Sequence, residues 1–373
     1  MRRSTRERAT DNLLLAAAMK RPIEQVDQLD AADVLLASRY HRLAPLVYLA
    51  LKDNRPDIAS LLREDRDKAL THHLRVTLVL AALRELLGDI DWLAFKGPYL
   101  SELAHPVPGL RSYGDVDVLV RASRLRQAYE RVAEAGWRSI DTVETLEHPV
   151  LPGEITIGNA LMIPVDMHWS MVHSAPLRRR FPVPAGQVLE RRVEAQIGGV
   201  RAGVPASPDA LVHVCLHAAL AGATKLLHLL DADQVARSIV DWDEVVRRSL
   251  EWGATATTAV VLGRARQLFD TPLPPELFGL LGLSRAFASL MRAVDMANPA
   301  VTVRRDISMP RRVAMGVRPS ALLTVGTVAR NRVVRVAQRL HPQREPETGQ
   351  AGPSTVAAYL LAVGRATRDP AWA

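Results

Sequence analysis

Two aspartates stand two residues apart in the stretch Asp115-Val116-Asp117-Val118-Leu119-Val120. The apolar alternation reads as a strand, and a strand's period of two turns both carboxylates to one face and the valines to the other. Carboxylates about 6–7 Å apart along a strand can converge on one hard cation, or hold two ions about 3.5–4 Å apart. Magnesium takes one or two protein carboxylates and leaves its other positions to water and substrate phosphates. An Asp-x-Asp pair also fits a plain solvated strand face, so the neighbouring elements have to decide.

Upstream, the apolar run Trp92-Leu93-Ala94-Phe95 stops at Lys96-Gly97-Pro98, and Tyr99 to Leu103 then show helical spacing. This predicts a strand, a tight turn and a helix opening on Pro98. Proline suits the first helical turn because its missing N–H had no partner there. Gly97 lets the backbone approach a ligand, the helix N-terminus favours an anion, and Lys96 adds a point charge. An anion seat beside cation ligands points to a nucleoside triphosphate held with magnesium or manganese. Farther on, Val165-Asp166-Met167-His168-Trp169 reads as another strand with Asp166 and His168 on one face. Should it lie beside the Asp115/Asp117 strand, Asp166 becomes a third carboxylate. A divalent ion is what makes such a repelling cluster tolerable.

In order and spacing, Phe95-Lys96-Gly97, Pro106 to Gly109, Leu110-Arg111, Gly114 to Val120 and Val165 to Trp169 resemble the uncharacterised nucleotidyltransferase family of the polymerase-beta-like superfamily. The likeness extends over about residues 10 to 270, with flanking helices at Tyr40 to Leu46 and at Leu226 to Asp231, followed by Asp241-Trp242. Gly114 stands where that family usually has serine, and Pro98 removes an amide from the turn. The resemblance implies an α+β fold: a small mixed sheet with helices, flanked by N- and C-terminal helical regions. It implies Asp115, Asp117 and Asp166 as catalytic metal ligands, and Lys96, Gly97, Arg111 and Asp231 as nucleotide contacts. Arg111 would neutralise charge on the leaving pyrophosphate. His168, His217 and Lys225 become possible substrate contacts, against the plainer readings of a packed His–Trp pair and of helix–helix polar contacts.

The elements that must position these residues divide the 373-residue chain into four spans. Residues 1–88 read as helical, with breaks at Pro22, at Asn54-Arg55-Pro56 and at Gly88. Residues 89–204 form the core; a helix after Ala122-Ser123 closes at Gly136, and a hairpin turns at Gly158-Asn159. Residues 205–300 are helical again. His213 and His217 have zinc-ligand spacing on a helix, but Val214 stands where a zinc peptidase needs glutamate. Residues 301–373 form a basic tail, with a flexible linker at 341–355 and a terminal helix from Val356 to Arg368. Its arginines interleave with Val and Leu but hardly with aromatics, which favours phosphate or lipid headgroups over stacked bases.

The composition, 48% hydrophobic and 24% charged, is that of an ordinary globular chain. The formal charge of +8 predicts attraction to polyanions. Arginine carries almost all of it, since lysine occurs only at 20, 52, 68, 96 and 225. A single Cys215 excludes an internal disulfide and a cysteine zinc cluster, fitting a reducing compartment. No leader or apolar run long enough to span a bilayer is evident, so a cytoplasmic location is expected. The expected activity is metal-dependent transfer of a nucleoside monophosphate, with ATP as the expected donor, to a hydroxyl of a natural product or peptide. A tRNA-modifying toxin and a non-catalytic scaffold are the alternatives.

Overall fold

Short runs of β-branched and aromatic residues build a five-stranded sheet around which the helices assemble. The computed structural model describes residues 4–306, 308–340 and 349–367, the last six of the second span through their backbone alone. The strands are β1 (Trp92–Phe95), β2 (Val116–Val120), β3 (Arg138–Ser139), β4 (Glu154–Gly158) and β5 (Val165–His168), in the order β1-β2-β5-β4-β3. Only β2 and β5 run parallel. Their register sets Asp117 directly opposite Asp166, so the third carboxylate does come to the side of the first strand. The expected strand contains Asp115, but β2 begins one residue later, at Val116. The hairpin expected at Gly158-Asn159 is a wider connection, because β5 starts only at Val165 and pairs it with Ile157. The Asn159 side chain holds that loop by accepting from the Leu161 amide.

A second antiparallel ribbon, β6 (Val193–Ile197) and β7 (Val200–Val204), turns at Gly198-Gly199, both with positive φ. Glycine adopts that conformation without a Cβ penalty, which is why a two-residue Gly-Gly link closes a tight hairpin. β7 lies against β1, and a Cβ at Gly203 would stand only 2.8 Å from the Trp92 carbonyl oxygen.

On the N-terminal side, Ala44–Leu51 packs on the long helix Arg63–Leu87, and the helices Thr5–Met19 and Ala31–Tyr40 pack on Ala44–Leu51 and on each other. Ser4 and Glu7 form a capping box at the first helix. The long helix presents Val76, Val79, Leu80, Leu83 and Leu87 to the core, three- and four-residue spacings that make one apolar stripe. Beyond the sheet, Ser207–Leu220 packs against Leu226–Ala236, Trp242–Glu251 and Thr255–Phe269. Buried apolar residues from Ala9 to Val363 form one continuous cluster, so the helical regions and the sheet share a core. No helix among the described residues is long and apolar enough to cross a membrane.

Of the expected linker, 341–348 lie outside the described residues, while 349–352 are tied to the core edge. Val143 donates to the Gly349 carbonyl, Ala351 to that of Asp141, and the Gln350 side chain to that of Ser139. The terminal helix starts earlier than its apolar pattern indicates, at Pro353, which occupies the first turn where proline is tolerated. Its Tyr359 hydroxyl accepts from the Trp169 indole at 3.0 Å and donates toward the carbonyls of Pro152 and Glu154. These bonds are buried and span about half the chain, so Tyr359→Phe should lower unfolding stability by about 1–2 kcal/mol. Urea titration checks this: the midpoint should fall with no change in slope.

Candidate active site

The site begins where β1 ends. Phe95 pairs with Asp117 across the sheet, and the next residue, Lys96, takes φ 54° and ψ −113°. A non-glycine residue at positive φ is uncommon and costs of order 1–3 kcal/mol, which surrounding structure must enforce. Here the turn swings the Lys96 ammonium back over the sheet to Asp117 Oδ1 at 2.6 Å. Gly97 is required for a steric reason: a Cβ there would meet the Tyr113 ring at 2.5 Å and the Asp115 carbonyl oxygen at 3.1 Å. The close approach that glycine permits is thus first used by the chain itself, pressing the Lys96-Gly97 turn onto the segment that delivers Asp115.

That segment is fixed from the long helix. Buried His73 has Nδ1 at 2.7 Å from the Tyr113 hydroxyl and Nε2 at 2.9 Å from Glu102. Two residues before Tyr113, Arg111 donates through Nε and Nη2 to both oxygens of Asp231, at 2.9 and 2.8 Å. Both side chains are buried. A bidentate guanidinium–carboxylate pair fixes orientation as well as distance, and this one clamps the loop before β2 to the helix Leu226–Ala236.

Asp117 is buried and receives two cations. Besides Lys96, His168 Nε2 lies 3.0 Å from the same Oδ1. The other nitrogen of His168 lies 2.9 Å from Glu154, which also meets His173 at 3.0 Å. Burial opposes charge on every member of this chain. For His168 the Glu154 and Asp117 carboxylates outweigh it, lifting the imidazole to about 9. For Asp117 the Lys96 and His168 charges outweigh it, holding the carboxyl well below the usual range. Lys96 is in turn held charged by Asp117.

Asp166 fares differently. It faces the same side one strand over, half-buried, and burial, reinforced by the Glu154 and Asp117 charges against a lowering influence from His168, raises it to about 6. Asp115, half-buried before β2, is also raised, first by burial and then by Asp117. The two aspartates of one motif are therefore unlike: Asp117 is neutralised by fixed cations, while Asp115 and Asp166 hold negative charge at a cost.

Asp117, Asp166 and His168 each bring one ligand atom to within 4.8 Å of the others. The two carboxylate oxygens are hard donors that suit a small divalent cation. With a carboxylate oxygen within 3.0 Å of each ring nitrogen, His168 is arranged to donate from both, which better suits orienting Asp117 than ligating a metal.

His217 joins from the helix Ser207–Leu220. Its side chain is exposed and its ring lies 6.4 Å from that of His213; desolvation, with the Lys96 charge next in weight, depresses its imidazole to about 3. His213 packs edge-on against Phe95 and is buried. His228 contacts His217 at 5.4 Å between rings, and its Nδ1 is buried without a hydrogen-bond partner. Lys225 stands farther out, its ammonium 5.0 Å from the Tyr40 ring centre, and its pKa is lowered by burial and then by Arg42. The structure thus brings Lys96, Gly97, Asp115, Asp117, Asp166 and His168 together and sets His217 beside them, while Arg111 and Asp231 meet each other.

The family described as uncharacterised nucleotidyltransferase matches residues 27–270, well over half of the chain and all of these positions. The chain belongs to that nucleotidyltransferase family. Its mixed sheet flanked by helices is the fold the resemblance implies. Comparison with curated proteins returns no match. Glu154, the group that completes the His168 chain, was not among the sequence candidates. A glutamate opening a strand carries no mark of its own, and only the antiparallel register that sets it opposite His168 reveals it.

Proposed function

We propose that the chain transfers a nucleoside monophosphate from a nucleoside triphosphate, with ATP as the expected donor, to a hydroxyl of an acceptor, a natural product or a peptide. The observation that supports this most is the register of Asp117 opposite Asp166, which gathers carboxylates of opposite electrostatic character beside a lysine turn. Asp115, Asp117 and Asp166 would hold magnesium or manganese. Such an ion, when bound, would neutralise phosphate oxygens and make the acceptor hydroxyl more acidic.

The chain's own groups have separate tasks. Lys96 and the Gly97 turn seat the outer phosphates, with Lys225 as a further cation and the neutral His217 imidazole as a substrate contact. Asp231 positions Arg111, whose Nη1 lies outside their pair and whose charge faces the phosphates that leave. Glu154 and His168 hold Asp117 in one orientation. Asp166 takes the acceptor proton as the acceptor oxygen bonds to the α-phosphorus and the bond to the pyrophosphate oxygen breaks. With no ion bound, burial raises that carboxyl to about 6, and a cation held by the same group would lower it.

The pH dependence tests the assignment. With Asp166 as base, kcat/KM should rise with pH along an acid limb that lies below the metal-free value of about 6, because the bound cation lowers that carboxyl. Pyrophosphate release, including slow transfer to water, provides the readout. Asp166→Asn should lose most of the activity and the acid limb together. An Asp166→Asn variant that keeps the wild-type rate and pH profile would remove Asp166 from this role.

A further inference from the structure

The helix Ala321–Leu340 lies outside the residues shared with the family, and the transfer reaction uses none of it. One side packs inward. Thr324 is buried and bonded to the carbonyl of Ser320. Val328 sits on Gly316, where a Cβ would stand 2.8 Å from a Val328 methyl, so the preceding helix Met309–Gly316 approaches closely only because Gly316 has no side chain. At 100° per residue, the direction opposite Thr324 and Val328 falls between Leu322, Gly326 and Val333 on one side and Arg330 on the other, with Ala329 and then Val325 turned towards the flank.

That outward line is apolar and faces solvent. Leu322 is 82% exposed, Val325 54% and Val333 69%, with Leu323 at 60% beside them. Arg330 and Arg332 are exposed and flank the line on its two sides. Between Asp306 and Glu345 the sequence has eight arginines and no acidic residue. A row of exposed aliphatics spaced three and four residues apart, bordered by cations, is a poor surface for water and a good one for an interface with anionic headgroups above hydrocarbon.

We infer that this face docks on an anionic phospholipid bilayer, the helix lying in the headgroup plane with its aliphatic line immersed and Arg330 and Arg332 at the phosphates. The helix does not cross the membrane; an interfacial helix lies on it. Charge decides among the occupants. A second copy laid on this face would oppose its own arginines to ours, with no acid in the 307–344 stretch to receive them. A nucleic acid would meet aliphatic side chains at the centre of the face, where phosphate contact needs cations and base contact needs aromatic platforms.

The test is co-sedimentation of the full chain with vesicles of phosphatidylcholine alone or with about one third phosphatidylglycerol, at low and high salt. The wild type should pellet only with the anionic vesicles, and less in high salt. The variant Leu322→Gln/Val325→Gln/Val333→Gln should bind about a hundredfold more weakly, and Arg330→Gln/Arg332→Gln more than about tenfold more weakly. All five positions are exposed, so both variants should keep the wild-type melting curve. Asp117→Asn should pellet like the wild type, which separates this inference from the proposed reaction. No binding to anionic vesicles would overturn it, and so would binding that the apolar variant retains, since net charge alone would then explain it. A wild-type dimer made monomeric by the apolar variant, or an RNA oligomer retained in place of vesicles, would assign the face to those partners instead.

Discussion

Asp117→Asn should lower nucleotidyl transfer by at least about a thousandfold and should also destabilise the protein. The second half of that expectation is the unusual one. Active-site carboxylates are commonly a burden on stability, and neutralising one relieves repulsion. Asp117, however, is the shared counter-charge of Lys96 at 2.6 Å and His168 at 3.0 Å. An asparagine would leave two cations facing each other in a buried place, and removing one partner of a buried ionic cluster costs about 3–5 kcal/mol. Because the Asp117 carboxyl is held below its unfolded value, that contribution is present throughout the neutral range and is lost only as pH falls through the depressed value.

Asp166 should behave in the opposite way. Its carboxyl is raised to about 6, so the folded state binds its proton more tightly than the unfolded chain does. The relative stability this confers is complete below about pH 4 and is lost as pH rises through 6. Asp166→Asn should therefore stabilise the protein at pH 8 by about 1–2 kcal/mol, allowing for partial exposure, and by nothing at pH 4. Two carboxylates opposite each other on adjacent strands would then both be needed for transfer and yet shift the urea midpoint in opposite directions. A stability gain in Asp117→Asn would contradict the ionic cluster.

The second large effect concerns the clamp. Arg111→Ala should cost about 3–5 kcal/mol, because it strands the Asp231 carboxylate in a buried position. Lysine should not rescue it, since an ammonium cannot reproduce two parallel bonds at 2.9 and 2.8 Å. The paired replacement Arg111→Met/Asp231→Leu removes both charges and should recover most of the stability, while nucleotide affinity stays low if the guanidinium meets the phosphates. Chemical unfolding and nucleotide titration on the same three variants read the two roles apart. Equal recovery of both properties would make Arg111 a structural clamp alone.

What could be read from the sequence follows from the range of the interactions. Period two placed Asp115 and Asp117 on one face, and the apolar run with its Lys-Gly-Pro stop placed the turn before them, since both are local signals. Asp166 was legible as a strand residue, but its position opposite Asp117 depends on parallel pairing across about fifty residues, which no periodicity encodes. The Arg111–Asp231 pair, 120 residues apart in sequence, was visible only as two separate candidates. The β6–β7 ribbon was missed even though Gly198-Gly199 between alternating apolar residues is a hairpin signal. Pro353 likewise marked the true start of the terminal helix, where the apolar pattern pointed to Val356. Electrostatic character was the least legible property, because the Lys96 turn conformation decides which aspartate is neutralised.

The most direct test of the central claim is a thermal-shift matrix: ATP, GTP, CTP and UTP, each with and without magnesium or manganese, on wild type and Asp117→Ala. A ligand that binds the folded state at one hundred times its dissociation constant adds about 2.7 kcal/mol, which such a measurement resolves. The account predicts a cation-dependent rise in Tm with at least one nucleotide, largest with ATP, and its loss in Asp117→Ala. A shift of the same size in that variant, or none with any nucleotide under any cation, would contradict a nucleotide site built on Asp117.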